Sequence, residues 1–316
     1  MLLSTPLLSF RTVGAAWITF LIAGNVCVAS GQVTEDILRP PMFKTDASVV
    51  LVPATVLDRR GGLVGGLPSG SFVVTQDNMP RPIVSFGEED VPLSVAIVLD
   101  TSGSMSPVLG DAKDTLRAFL NISNPEDEAC LFTVSSMPNK ASDFTRDVDT
   151  MLGKTLFSNA GGSTALIDTV YAGLNQMRSA SHPRRAILVI SDGMDNHSRY
   201  TARELMAAAV EADLQIYSVS IYDPPRNKKP IELQEERNGM SFLEELTRRT
   251  GGVRITVRDR TEITDAVTRI GRIMRDQYVI GFVPNPAGNS GKWHSIKVSV
   301  TTAGTKAYAR SGFYGK

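Results

Sequence analysis

The sequence predicts an α/β protein whose central sheet is doubly wound and mostly parallel, with the strands of a β-sandwich flanking it in the chain. Three observations support this prediction. Strands and helices alternate from Asp100 onward, the candidate core strands are nearly continuous apolar runs, and both flanks are rich in strand and turn signals. Continuous apolar runs are typical of parallel strands that helices cover on both faces. Alternation of strands and helices favours such a sheet.

Five apolar runs are the candidate strands of the central sheet. They span residues 94–99, 129–135, 186–191, 214–221 and 253–257. Helices are predicted between and after these strands, because apolar side chains recur there at helical spacing. The helical segments are residues 108–120, 165–177, 201–212, 241–250 and 261–276. Residues 143–146 are predicted as a short antiparallel edge strand.

The two flanks are predicted to form one β-domain. Strand signals occur at residues 48–57, 72–75 and 82–86, and again at residues 277–283, 293–301 and 305–310. Each flank alone is too small for a stable core, and the two ends of a domain often lie near each other in space. We therefore expect residues 32–91 and 277–316 to join in one β-sandwich, with the α/β domain of residues 92–276 inserted into it.

The beginning of the chain, residues 1–31, is predicted to be a signal peptide. Arg11 precedes an apolar stretch over residues 13–28, and small residues follow it. This order is typical of secretory signal peptides and places cleavage near Ser30 or Gly31. An uncleaved membrane anchor is the alternative. A mature chain would keep Cys130 as its one cysteine, and its apolar strand favours a buried, unreactive thiol.

Composition and missing motifs exclude several classes of protein. Lys and Arg total 33 residues, as do Asp and Glu, so no net charge attracts the chain to nucleic acid or to an anionic membrane. The phosphate-binding loop G-x-x-x-x-G-K-[ST] and the nucleophile elbow G-x-S-x-G are both absent. None of the three histidines, His182, His197 and His294, has partners at the spacing of a zinc site.

The most informative motif follows the first core strand. Asp100, Ser102 and Ser104 form a D-x-S-x-S pattern that places one carboxylate and two hydroxyls on a tight loop. Such hard oxygen donors suit Mg²⁺ or Mn²⁺ rather than zinc or copper. Two later segments add to the pattern: residues 161–164 open a predicted helix, and a second apolar strand ends at Asp192. A plain helix cap after the first strand would explain the two serines but not the later segments.

These three segments, in this order, resemble the metal-ion-dependent adhesion site of the von Willebrand factor type A (vWA) family. The resemblance covers roughly residues 92–276. In that family the hydroxyls bind a divalent cation directly, and the carboxylates lie close to it or act through water. The metal ligands that the resemblance implies are Asp100, Ser102, Ser104, Thr164 and Asp192.

Two stretches near the end of the chain add to the resemblance. Residues 291–294 read Gly-Lys-Trp-His and residues 310–314 read Arg-Ser-Gly-Phe-Tyr, which resembles a bacterial branch of vWA-related proteins. The implied location is therefore the cell envelope, periplasm or exterior of a bacterium. In the vWA family a shift of the last helix sometimes accompanies ligand binding, and the resemblance implies the same for residues 261–276.

The implied function is binding rather than catalysis. Mg²⁺ usually keeps several waters when few charged ligands hold it, so a carboxylate of a partner can complete the shell. We expect a secreted module that captures an acidic group on a protein or matrix partner, binds no nucleic acid, and meets a membrane only through its N-terminal segment. One alternative is a metal-dependent hydrolase, with Asp195 or Glu235 as base. The other is a scaffold subunit of an envelope complex.

Two further segments border the expected site. Residues 222–239 are predicted as a long charged loop on the same face of the sheet, which either shapes the choice of partner or is a solvated excursion. Asp195 and Asn196 follow Asp192 closely. They either tune the cation from outside its ligand shell or cap the helix that begins near Thr201.

Overall fold

Strands at both ends of the chain enclose a middle part in which strands and helices alternate. The computed structural model describes residues 49–88, 91–105, 112–152, 163–222, 229–285 and 291–315. In chain order the elements are β1 (Val50–Asp58), β2 (Phe72–Gln76), β3 (Met79–Arg81), β4 (Ile83–Glu88), β5 (Leu93–Asp100), α1 (Ala112–Asn121), β6 (Glu128–Val134), β7 (Pro138–Thr145), α2 (Val148–Leu152), α3 (Leu166–Gln176), β8 (Arg184–Ser191), α4 (Ala202–Glu211), β9 (Gln215–Ile221), α5 (Pro230–Thr250), β10 (Arg254–Val257), α6 (Ile263–Arg275), β11 (Tyr278–Phe282), β12 (Trp293–Val300), β13 (Thr305–Ala309) and β14 (Gly312–Tyr314).

The central sheet has the strand order β10-β9-β8-β5-β6-β7. All neighbouring strands are parallel except β7, which pairs antiparallel with β6 at the edge. Strand β5 lies in the middle and is buried along its whole length, as its continuous apolar sequence predicts. Because side chains alternate along a strand, Ile97 packs into one hydrophobic cluster and its neighbour Val98 into another on the opposite face. The predicted fold class is confirmed.

The flanks form two further sheets, each of four antiparallel strands. One has the order β13-β1-β11-β4 and the other β14-β12-β2-β3, so each sheet takes strands from both flanks. A third hydrophobic cluster joins them, and the ring of Phe72 lies 4.8 Å from that of Tyr278 in the other sheet. The two sheets therefore pack against each other as a β-sandwich. That the two flanks form one domain, with residues 92–276 as a separate domain inserted into it, stays a prediction.

A group of buried and half-buried polar side chains connects the sandwich to the central sheet, and we call it the polar joint: Thr55, Arg184, Tyr217 and Gln277. The Gln277 side chain is 1% exposed, and its Nε2 donates to the Tyr217 hydroxyl at 2.6 Å and to the Thr55 hydroxyl at 3.2 Å. Its Oε1 accepts from Arg184 at 2.9 Å. Arg184 also donates to the carbonyl of Met274, at the end of α6. The joint thus fixes the point where α6 passes into β11.

An ion pair lies at the same edge of the sheet as the polar joint. The Arg275 guanidinium is 2.6 Å from the Asp127 carboxylate, and both side chains are largely buried. Asp127 also accepts the backbone N–H of Leu93 at 2.8 Å, where β5 begins. This edge of the sheet therefore matches its buried charges with opposite charges and hydrogen bonds, as stable interiors require.

The prediction of a loop over residues 222–239 is wrong for its second half, because α5 begins at Pro230. Proline is favourable at the first position of a helix, where its missing N–H is not needed. The Glu232 carboxylate also accepts the backbone N–H of Lys229 at 3.0 Å, which caps the helix start. Residues 223–228 lie outside the described residues.

Smaller differences concern short elements and segment ends. Strand β7 is longer than the predicted residues 143–146, and α2, β3 and β14 were not predicted. The predicted signal peptide, residues 1–31, and the predicted helix start at residues 108–111 lie outside the described residues. Cys130 is fully buried, and burial raises the pKa of its thiol to about 12. Among the helices that the structure describes, none combines the length and the apolar character needed to cross a bilayer.

Candidate metal centre

Four of the five residues predicted to bind a cation lie near the C-terminal edge of the central sheet, and their side chains are described. Asp100 is the last residue of β5, Asp192 follows the last residue of the adjacent strand β8, and Thr164 lies just before α3. Their side chains are nearly inaccessible, with exposed fractions of 0% for Asp100, 4% for Thr164 and 8% for Asp192. Ser102 is buried as well. In sheets of this kind, ligands bind beyond the C-terminal strand ends.

Asp100 lies in an environment that disfavours its negative charge. Burial, and then the charge of Asp192, raise the pKa of Asp100 to about 6, although hydrogen bonds from Ser191 and Ser102 oppose the shift. The Ser191 hydroxyl donates to Asp100 Oδ2 at 2.6 Å, and the Ser102 N–H donates to Oδ1 at 2.9 Å. These bonds fix the orientation of the carboxylate but do not neutralise it.

Neither carboxylate forms an ion pair with a Lys, Arg or His side chain in the part of the chain that the structure describes. Buried charges in proteins are normally paired or coordinate a metal ion. Asp100 and Asp192 are close enough for one to raise the pKa of the other. Together they therefore meet the main electrostatic requirement of a cation site.

The loop after β8 packs tightly against α5. Gly193 has a φ of +84° there, and a Cβ atom on it would lie 2.6 Å from the backbone of Gly239 in α5. A Cβ atom on Gly239 would lie 2.5 Å from the backbone of Gly193. Both positions therefore need glycine. The same loop orients Asp192, whose Oδ1 accepts the Met194 N–H at 3.0 Å.

Thr164 is held in place by residues that follow Asp192. Its N–H donates to the side-chain oxygen of Asn196 at 2.8 Å, and its carbonyl accepts the N–H groups of Asn196 at 3.0 Å and His197 at 3.1 Å. Both backbone polar groups of Thr164 are thus bonded to the β8–α4 loop. The hydroxyl is its remaining polar group, and it belongs to the predicted ligand set.

Asp195 caps a different helix from the one considered in the sequence. Its Oδ2 accepts the N–H of Ile167 in the first turn of α3 at 2.8 Å. Ala165, at the start of that helix, has no side chain able to do this. The helix near Thr201 is instead capped by Thr201 itself together with Glu204. A cap supplied by another loop has no short-range spacing, which is why the sequence did not reveal it.

Asp100, Ser102 and Asp192 therefore lie close together, and Thr164 is bonded through its backbone to the loop that follows Asp192. The backbone of the fifth predicted ligand, Ser104, lies in the short turn of residues 103–105 after β5. The Ser104 side chain is outside the described part of the structure. Among the described residues, no three His, Cys, Asp or Glu side chains form a group that could hold a metal. A cation here would depend on two carboxylates and on hydroxyls, which is the chemistry of Mg²⁺ or Mn²⁺ and not of zinc.

Comparison with known families agrees with this geometry. Residues 95–194 match the von Willebrand factor type A domain family. This part of the chain is therefore similar in sequence to a vWA domain. The matched region includes Asp100, Thr164 and Asp192, and vWA domains are protein-binding modules that are mostly not catalytic. No curated protein matches the chain.

Several solved structures are similar in fold. BatB from Bacteroides thetaiotaomicron is 21% identical, with a TM-score of 0.44 over 58% of this chain and 98% of its own. A von Willebrand factor type A protein from Catenulispora acidiphila is 11% identical, with a TM-score of 0.47 over 86% of this chain and 74% of its own. The vWF domain of the type V pili tip protein Mfa5 from Porphyromonas gingivalis is 12% identical, with a TM-score of 0.43 over 58% of this chain and 95% of its own.

Proposed function

We propose that the vWA domain binds Mg²⁺ or Mn²⁺ and uses it to capture an acidic group on a protein or matrix partner. The observation that carries the proposal is the buried pair Asp100 and Asp192, whose charges no basic side chain among the described residues offsets. The residues that would hold the cation are Asp100, Ser102, Ser104, Thr164 and Asp192.

The ligand set favours binding of a partner over permanent closure of the site. Two carboxylates balance the charge of a divalent ion, whereas the hydroxyls of Ser102, Ser104 and Thr164 add donors without charge. Bound there, the cation would supply a Lewis-acidic position at which a carboxylate can replace water. The side chains around it only orient and hold, and we propose no catalytic step. The location we propose is secreted or in a bacterial envelope, through the N-terminal segment.

A hydroxyl deletion tests the cation site. Thr164→Val removes the proposed ligand oxygen, whereas Thr169→Val removes another buried hydroxyl, which donates to the carbonyl of Ala165 at 2.7 Å in α3. The protein is titrated with Mn²⁺ while the electron paramagnetic resonance signal of the free ion is recorded. This titration should show one binding site in the wild type. Thr164→Val should weaken it at least roughly tenfold, or about 1.4 kcal/mol, and Thr169→Val should leave it unchanged. Equal affinities in both variants would refute the role of Thr164.

Capture of an acidic group needs a separate test. The protein is incubated with a library of short peptides that each carry one Glu, and with the same library carrying Gln instead. Binding should occur with the Glu peptides in Mg²⁺, and should be lost in chelator and in Thr164→Val. Equal retention of the Gln peptides, or retention in chelator, would contradict capture through a cation.

A further inference from the structure

The β8–α4 loop and the first turn of α3 are joined by more hydrogen bonds than a cap requires. Asn196 exchanges bonds with Thr164 in both directions, through its side-chain oxygen and its own N–H. The Asp195 carboxylate accepts the N–H of Ile167 at 2.8 Å, in the first turn of α3. The loop is therefore bonded at two successive positions, the proposed ligand Thr164 just before the helix and Ile167 within it.

A second set of contacts continues along the same helix. The Ser198 hydroxyl accepts the N–H of Asp168 at 3.0 Å and donates to Asp195. The Asp168 carboxylate in turn accepts the N–H groups of Arg199 and Tyr200 at 2.9 and 3.0 Å. These bonds are reciprocal, since each segment supplies both donors and acceptors. The loop and the helix are thus joined by a continuous set of hydrogen bonds.

We infer that Asp195 and Asn196 are positioning residues, which fix Thr164 relative to Asp192 so that the cation site is assembled before the cation arrives. This inference rests on the proposed function. Asp192 begins the loop that contains Asp195 and Asn196, and Thr164 is bonded to that loop through both of its backbone polar groups. Neither Asp195 nor Asn196 needs to touch the cation to act in this way.

The chain offers a matched control in the same loop. Thr201 and Glu204 form a capping box at the start of α4, in which the Thr201 hydroxyl accepts the Glu204 N–H at 3.2 Å. Thr201→Ala removes a helix cap and should cost stability on the scale of Asp195→Ala. It breaks no bond to α3, however. If Asp195 and Asn196 only stabilise the fold, Mn²⁺ affinity should change to the same extent in Asp195→Ala, Asn196→Ala and Thr201→Ala. If they position Thr164, the affinity should fall in the first two variants and not in Thr201→Ala.

The test compares Mn²⁺ affinity in Asn196→Ala, Asp195→Ala, Asp195→Asn and Thr201→Ala. Loss of residues that orient metal ligands typically weakens binding about 10- to 100-fold, and we expect this for the first two variants. Asp195→Asn keeps an oxygen for the Ile167 N–H, so it should recover most of the affinity. Thr201→Ala should match the wild type. Asp195→Asn as weak as Asp195→Ala, or Thr201→Ala as weak as Asn196→Ala, would overturn the inference.

Amide hydrogen exchange in chelator separates this inference from the proposed function. Asn196→Ala should speed the exchange of the Thr164 N–H, and Thr201→Ala should not. If the wild type binds no Mn²⁺, the proposed function fails and the positioning of a cation ligand fails with it, while the exchange still reports whether the loop anchors Thr164. Unchanged exchange at Thr164 in Asn196→Ala would overturn the anchoring itself.

Discussion

The two edges of the central sheet treat buried polar groups differently. At the N-terminal edge, Gln277 of the polar joint bonds to groups on three other segments, and Arg275 pairs with Asp127. At the C-terminal edge, Asp100 and Asp192 lie close together, and no basic side chain of the described residues pairs with them. The first edge is built for stability. The second holds two carboxylates whose mutual repulsion opposes folding, which is common at functional sites.

The largest effect should come from removing a charge at the N-terminal edge. Arg275→Ala leaves the buried Asp127 carboxylate with backbone donors and no cation. Loss of one partner of a buried ion pair costs about 3 kcal/mol, which urea unfolding will measure, and Mn²⁺ affinity should not change. Arg248→Ala is the control, because its pair with Glu245 is exposed and should contribute less than about 1 kcal/mol. Equal losses in both variants would contradict the contrast between buried and exposed pairs.

Removing a charge at the C-terminal edge, unlike removing one at the N-terminal edge, should not destabilise the protein in chelator. Asp192→Asn keeps an oxygen for the Met194 N–H and removes the charge that disfavours ionised Asp100. The cation-free variant should be at least as stable as the wild type. Mn²⁺ at about 100 times the wild-type dissociation constant should stabilise the wild type by roughly 2.7 kcal/mol and the variant much less. Urea unfolding with and without Mn²⁺ measures both. A variant less stable than the wild type in chelator would show that this edge carries no electrostatic strain.

Packing around the site can be tested at Gly239. In Gly239→Ala the new Cβ would overlap the backbone of Gly193, so α5 or the β8–α4 loop must move. Overpacking of this kind costs about 1–3 kcal/mol, and displacement of the loop should also weaken Mn²⁺ binding. Unfolding and titration on the same sample measure the two effects. A loss of stability with unchanged Mn²⁺ affinity would mean that α5 moves and the β8–α4 loop stays in place.

The smallest effect should be a gain in stability from the substitution Gly173→Ala. A Cβ atom there would meet Ala96 and Val98 at 3.6 Å, which is ordinary van der Waals contact. Glycine within a helix is less favourable than alanine by roughly 0.5–1 kcal/mol, so Gly173→Ala in α3 should be stabilised by about that amount. Thermal unfolding measures the gain. A loss would show that α3 lies closer to the sheet than its contacts indicate.

The parts of this structure that could be predicted from sequence are those with short-range patterns. Buried parallel strands such as β5 are continuous apolar runs, and the D-x-S-x-S motif identified the strand end that carries Asp100. The start of α5 was missed because its many charges indicated a loop, although proline followed two positions later by glutamate was a helix-start signal. The polar joint and the Asp195 cap join residues far apart in the chain, so no local spacing reveals them.

Strand β5 has a mechanical consequence. Five residues after β4 of the sandwich, the chain enters β5, and it leaves that strand at Asp100. A partner held at this end, with the sandwich held elsewhere, would pull β5 along its own length. Its ladders to β6 and β8 run parallel on both sides, so their hydrogen bonds would be loaded in shear and share the force, instead of opening one after another.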